Sequence, residues 1–156
     1  MYTVDDVINV AKKSGNFIFV DNVKKTPVSR QSLQNFISVL NNNEELLYFM
    51  ESACIERGNS NIVISGYLAV TNERVIIYGS QLFRKGPNVS TLSIDNIVSV
   101  NPVRGLNGKL IVDTVGVTDR IFLDCLAKNE INTMASRFME SINKAKEMKN
   151  ATNFVQ

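Results

Sequence analysis

The hydrophobic period of this chain changes twice, and those changes constrain its fold more than any motif. Before Glu44 apolar residues recur at helical spacing. From Leu46 to Leu126 they recur mostly at the two-residue spacing of strands, and from Ile131 the helical spacing returns. A chain patterned this way predicts one β domain with helices before and after it.

The first region carries two stripes. Val4, Val7, Ile8 and Ala11 fall on one helix face. After "GNFIFVDN", in which Phe17–Val20 reads as a strand or docking loop, Thr26 offers an N-cap with Pro27 at the first helical position. Leu33, Phe36, Ile37 and Leu40 then make a second stripe, ended by "NNN" at 41–43. These apolar faces must be covered by the chain's own β domain or by another chain. We therefore expect residues 1–43 to form a helical extension whose Leu33, Phe36, Ile37 and Leu40 serve as an interaction surface.

The middle region divides into seven strand candidates: Leu46–Ile55, Ile62–Thr71, Arg74–Gly79, Val89–Ile94, Ile97–Val103, Lys109–Val115 and Arg120–Leu126. Their spacing suits a small antiparallel sandwich or barrel. The stretch "GYLAVTNERVIIYG" is the clearest hairpin, with Asn72 at a turn position that favours positive φ. Gly66 marks a bend or bulge, and Arg74 beside Glu73 reads as a surface ion. "RGLNGK" carries Asn107-Gly108, a strong hairpin signal. Pro87 is incompatible with a central ladder. Ile131, Met134, Ala135, Phe138, Ile142 and Ala145 then predict an amphipathic helix of about five turns. The expected division is a 1–43 extension, a 44–149 domain and a frayed 150–156 tail.

Composition narrows the function. There is no histidine, which removes the commonest general base and the His-bearing zinc sites. The sequence holds no GxSxG, no phosphate-binding glycine loop with its lysine and no metal-spaced ligand pair, so no enzyme, metal or cofactor is expected. Cys54 and Cys125, with no CxxC, read as small buried hydrophobes in a reducing compartment, the alternative being a disulfide or a reactive thiol. Asp113, Asp119 and Asp124 on alternating strand positions are expected to face water.

Net charge is +2, from 17 bases less 15 acids. Residues 1–43 hold Lys12, Lys13, Lys24, Lys25 and Arg30 against three acids, and the remainder balances. That does not describe a nucleic-acid binder. "MYTVDDVINVAKK" puts acids where a signal peptide carries bases, and no apolar run approaches a membrane span, so we expect a cytoplasmic protein.

The segments "EELLYFMESACI", "GYLAVTNERVIIYG", "STLSIDNIVSVNPVRGLNGKLIV" and "RIFLDCL", followed by the closing helix, resemble a bacterial pleckstrin-homology (PH) domain of the YokE-like kind over about residues 44–147. The resemblance implies an α+β, mainly β fold. Seven antiparallel strands form a PH-like barrel or sandwich, which the C-terminal amphipathic helix caps, with the helical extension outside it. It also implies a scaffold for binding lipid, peptide or protein. Lipid-binding relatives carry several bases around the loop between the first two strands. Here that loop is "ERGNSN", with Arg57 alone beside Glu56. Our expectation is a non-enzymatic module acting through protein–protein contacts and self-association, its protein partner unidentified. The alternative is a peripheral membrane module in which Arg57, Phe83, Arg84 and Lys85 meet anionic lipid.

Overall fold

A computed structural model of the chain describes residues 1–156 apart from 59, 61, 82, 117, 118 and 156. Those residues belong to the loops expected at "ERGNSN", "LFRKGPNVS" and "GVTD" and to the tail, so these loops are described only in part.

Three helices come first: α1 (Val4–Lys13), α2 (Phe17–Val23) and α3 (Pro27–Ile37). Thr3 starts α1 with a capping box. The Asp6 N–H donates to Thr3 Oγ1 at 3.2 Å and the Thr3 N–H donates to Asp6 Oδ2 at 2.7 Å. The Thr3 hydrogen bonds hold the Asp6 carboxyl below its ordinary pKa. Phe17–Val20 is neither strand nor docking loop; it opens α2, because Phe19, Val20 and Val23 all bury on one side. Thr26 occupies the N-cap position of α3 with Pro27 in its first turn, as expected, but its hydroxyl donates to Ser29 Oγ and caps no helix N–H.

Seven strands follow: β1 (Leu46–Arg57), β2 (Val63–Thr71), β3 (Arg74–Gln81), β4 (Pro87–Ser93), β5 (Ile97–Arg104), β6 (Gly108–Thr114) and β7 (Ile121–Leu126). A short 3-10 turn at Ile94–Asn96 leads into β5, and α4 (Ile131–Phe154) closes the chain. The helix spans 24 residues, so the tail expected to fray is helical through Phe154.

The strands form one antiparallel sheet ordered β4-β3-β2-β1-β7-β6-β5. Two meanders, β1–β4 and β5–β7, are joined through the β1–β7 ladder. Pro87 and Pro102 lie on the two edge strands, where a missing N–H is tolerated. Gly66 and Gly79 face each other across β2 and β3. A Cβ on Gly66 would stand 2.1 Å from the Tyr78 carbonyl oxygen, so the backbones approach more closely than any side chain permits. The bulge is on β1 opposite, between Ser52 and Ile55, and not on Gly66's own strand.

Strands β1–β3 bury both faces. Tyr48, Met50, Leu68, Val70, Val75 and Ile77 point inward and pack with Met134, Phe138 and Ile142 of α4. The Tyr48 hydroxyl donates to the Met134 carbonyl at 3.0 Å, and burial pushes its pKa far up, so it stays a neutral donor. The alternate residues Phe49, Tyr67, Ala69, Ile76 and Tyr78 point outward and are covered by α1, α2 and α3. Phe36 is the hub there, with ring centroids 5.1 Å from Phe49 and 5.8 Å from Tyr78.

This corrects one expectation. Leu33, Phe36 and Ile37 are buried against the chain's own sheet, with Leu40 packed beside them, and they present no open interaction surface. The cause is the outward aromatic row on β1–β3, which would otherwise face water.

Arg74 is also not a free surface ion. Its Nε donates to Glu44 Oε1 at 2.7 Å, and its Nη2 donates to Glu44 Oε2 at 2.9 Å and to the Val39 carbonyl at 3.0 Å. The Glu44 side chain is fully buried. Asn72 keeps a negative φ, as only Phe83 and Cys125 among described non-glycines have positive values. Thr71 sets the turn instead, its Oγ1 accepting the N–H groups of Glu73 and Arg74. The Asn72 side chain accepts the Glu45 N–H at 2.7 Å, tying the turn to the start of β1.

Burial pushes the Glu44 pKa up, but the Arg74 guanidinium, the Asn41 N–H and the Thr71 hydroxyl outweigh it and hold the carboxyl below its ordinary 4.5. The stability this pair contributes is therefore complete above that ordinary value and is lost as pH falls through the folded one. We predict that Arg74→Met, which strands a buried carboxylate, costs about 3 kcal/mol in urea unfolding at pH 7. Glu44→Leu combined with Arg74→Met should cost less than Arg74→Met alone, and the double variant should lose this part of the acid sensitivity. Equal costs for the single and double variants would contradict the pairing.

Candidate functional site

The ends of β1, β2, β3 and β4 meet at one mouth of the sheet. Ile55, Ile62, Ile64 and Ile77 form an apolar floor there, rimmed by Arg57, Ser60, Asn88 and Ser90, around a cleft of about 410 Å³. β1 delivers Arg57 as its last residue. Arg57 Nη1 donates to Ser90 Oγ at 2.7 Å, and its Nη2 donates to Asp119 Oδ1 at 3.1 Å. Asp119, expected to face water, thus neutralises the base nearest the cleft. Asp113 and Asp124 are likewise paired, with Arg120 at 2.8 Å and Lys109 at 3.6 Å. A guanidinium already held by a carboxylate has little charge to offer an incoming anion.

Phe83, Arg84 and Lys85 stand apart from this arrangement, on the turn between β3 and β4. Phe83 is 97% exposed and sits at φ 65°, an uncommon backbone state for a large side chain. Neither Arg84 nor Lys85 forms an ion pair with a described residue. The four residues expected to act together are thus divided: Arg57 is committed to Ser90 and Asp119, while the other three are free.

A second, more polar cleft of about 470 Å³ lies between α3 and the outer sheet face. Its floor is the Gly66–Gly79 pair, and Ser32, Glu51, Tyr67 and Tyr78 line it. The Tyr67 hydroxyl donates to Ser32 Oγ at 2.9 Å, and burial raises the Glu51 pKa. Among the described residues no group of three or more acids and cysteines is placed to hold a metal ion.

The sheet edges differ sharply. β5 carries Pro102 and Arg104, and α4 packs on it, with Lys146 Nζ donating to the Ile97 carbonyl at 3.2 Å. β4 reads Pro-Asn-Val-Ser-Thr-Leu-Ser, with no charge along its 7 residues. It pairs with β3 on one side and, among the described residues, has no strand on the other. The residues alone do not mark this strand as an edge. Its signal was the uncharged stretch itself, which names an edge only once the strand order is known.

A family model described as "Bacterial PH domain" matches residues 40–156. The chain belongs to that bacterial PH domain family. Among solved structures, the N-terminal PH domain of Vps36 is similar at 20% identity and a TM-score of 0.45, over 74% of this chain and 86% of that one. A DUF1696 family protein with a pleckstrin-homology domain from Shewanella loihica PV-4 is similar at 15% identity and a TM-score of 0.47, over 72% and 91%. A pleckstrin-homology domain from Shewanella amazonensis SB2B is similar at 15% identity and a TM-score of 0.37, over 60% and 79%. No curated protein sequence matches the chain. The match to the family begins at residue 40, so α1–α3 of this PH domain lie outside it.

The Arg57–Asp119 pair yields a direct test. Asp119→Asn should cost under about 1 kcal/mol of stability, since the pair is partly exposed. It should also raise binding to phosphatidylserine vesicles at low salt in a sedimentation assay, by unmasking Arg57. Unchanged vesicle binding would show that Asp119 does not restrain that base.

Proposed function

We propose that this bacterial PH domain is a non-enzymatic, cytoplasmic binding module that works through protein–protein contacts. Its β4 edge pairs with a strand of the partner, and the first such partner is a second copy of the same chain. PH domains generally mediate protein or lipid binding. The observation that carries the protein reading is the open β4 edge. A strand edge without charge or a covering element is a template for strand addition, and natural proteins usually block such edges. Here β5 is blocked and β4 is not.

Charge supports self-pairing. Two β4 strands related by a two-fold axis run antiparallel, as an isologous interface requires. Pairing centred on Ser90 sets Lys85, two residues before the strand, opposite Asp95 of the second copy, two residues after it, where Lys85 would share the carboxylate with Lys149 of that copy, to which Asp95 is already ion-paired. Each copy thus contributes one base and one acid, so the contact occurs twice. Val89, 45% exposed on the outer face of β4, adds apolar area beside it.

A second reading, contact with anionic lipid through Phe83, Arg84 and Lys85, is supported by the exposure of all three. Two bases near a membrane surface supply only about 1 kcal/mol each, which is weak for an anchor.

Light scattering on the intact chain at tens of micromolar should give the mass of two chains. Lys85→Glu and Asp95→Lys should each weaken the dimer about tenfold, and the two together should restore it. A single-chain mass throughout would contradict self-pairing. If that mass is accompanied by recruitment to anionic vesicles, the lipid reading takes its place.

A further inference from the structure

The two cysteines do not occupy the buried apolar positions expected of them. Cys125 is exposed and Cys54 is half-buried. They lie on neighbouring strands, with Cys54 of β1 opposite Asp124 of β7 and Cys125 next along. Regular alternation would send Cys125 to the sheet face opposite Cys54. Two adjacent irregularities interrupt that alternation. β1 advances from Ser52 to Ile55 while its partner β2 advances only from Gly66 to Ile64, an extra residue in β1. β7 likewise spans Leu123 to Leu126 against Leu110 to Gly108 of β6, an extra residue in β7. Cys125 occupies this second bulge at φ 60°, in the left-handed region.

The outcome is that Cys54 and Cys125 are diagonal neighbours at the end of the β1–β7 ladder, close enough for the Cys125 side chain to act on the Cys54 thiol. The surrounding bonds fix this arrangement. The Ser52 hydroxyl is directed between the carbonyls of Cys54, at 3.0 Å, and Asp124, at 2.8 Å, and accepts the Cys54 N–H at 3.2 Å. The Cys125 N–H donates to Asp124 Oδ1 at 2.8 Å. A left-handed cysteine is a costly backbone state that persists only where its surroundings hold it. Here Ser52 and Asp124 provide that hold, and its result is to bring two thiols together.

We propose that Cys54 and Cys125 form a reversible dithiol–disulfide pair that reacts with low-molecular-weight disulfides such as oxidised glutathione. Cys125 is the more accessible sulfur and reacts first. Its thiolate attacks one sulfur of the oxidant, the oxidant's S–S bond breaks, and one glutathione leaves and takes up a proton. The Cys54 thiolate then attacks the Cys125 sulfur, the mixed disulfide breaks, and the second glutathione leaves and is protonated. In total two protein S–H bonds become one S–S bond, and one oxidised glutathione becomes two reduced ones. Burial first, and then the neighbouring Cys125, push the Cys54 pKa up, in keeping with its role as the second nucleophile. The bridge would cross the β1–β7 ladder, which joins the two meanders, and so stabilise that junction.

The test uses the intact chain under native conditions with oxidised glutathione. Intact-mass analysis should show a single chain lighter by two hydrogens, with no thiol left to react with Ellman's reagent and a raised Tm, all reversed by dithiothreitol. Cys54→Ser should instead stop at one glutathione adduct on Cys125. Glutathione adducts accumulating on both cysteines of the wild-type chain would overturn the proposal. So would a bridge between chains, or two thiols that stay free until the protein is unfolded.

Discussion

Strands β1, β2 and β3 are apolar on both faces, and most of the architecture follows from that constraint. A sheet with one wet face needs one covering layer, whereas one with two dry faces needs two. α4 supplies the inner cover through Met134, Phe138 and Ile142. The outer cover has to come from outside the seven strands and their closing helix, and α1–α3 supply it with Phe19, Leu33 and Phe36. The match to the PH family stops where this second cover begins, yet the sheet is built for both. The extension is therefore a layer of the domain and not a tether.

The seam between the layers is closed by polar contacts at chosen points. Glu44 and Arg74 join the end of the extension to the β2–β3 turn. The Ser14 hydroxyl accepts the Phe49 N–H at 3.1 Å in a buried site, binding the end of α1 to the middle of β1. The Ile18 N–H donates to Glu130 Oε1 at 2.9 Å, linking α2 to the approach to α4. Buried polar groups are costly unless paired, so these contacts specify one docking arrangement among the many that apolar burial alone would accept.

Much of the fold was legible in the residues, because the period of burial is a local property. Seven strands, the second and third joined at Thr71–Arg74, and a closing helix from Ile131 could be read from spacing alone. What failed to show was set by partners distant in sequence. Arg74 looked like a surface ion because its acid lies 30 residues away. Leu33, Phe36 and Ile37 clearly needed a cover, but spacing could not say whether it was the chain's own sheet or a second chain, because that cover is the far face of the sheet. Cys54 and Cys125 looked like isolated hydrophobes because the two bulges that pair them depend on strand order. The candidate site was legible only in part: Phe83, Arg84 and Lys85 are as exposed as their turn suggested, but the Asp119 that occupies Arg57 could not be paired from sequence.

The claim that α1–α3 belong to the cooperative core is tested most directly by native-state hydrogen exchange at the Phe49 amide, whose acceptor sits at the end of α1. This amide should exchange only through global opening, with the same free energy and denaturant dependence as the amides of Leu68 and Ile76 in the central strands. Early exchange of Phe49 together with the α1–α3 amides, while Leu68 and Ile76 remain protected, would show that the extension undocks on its own and would contradict the account.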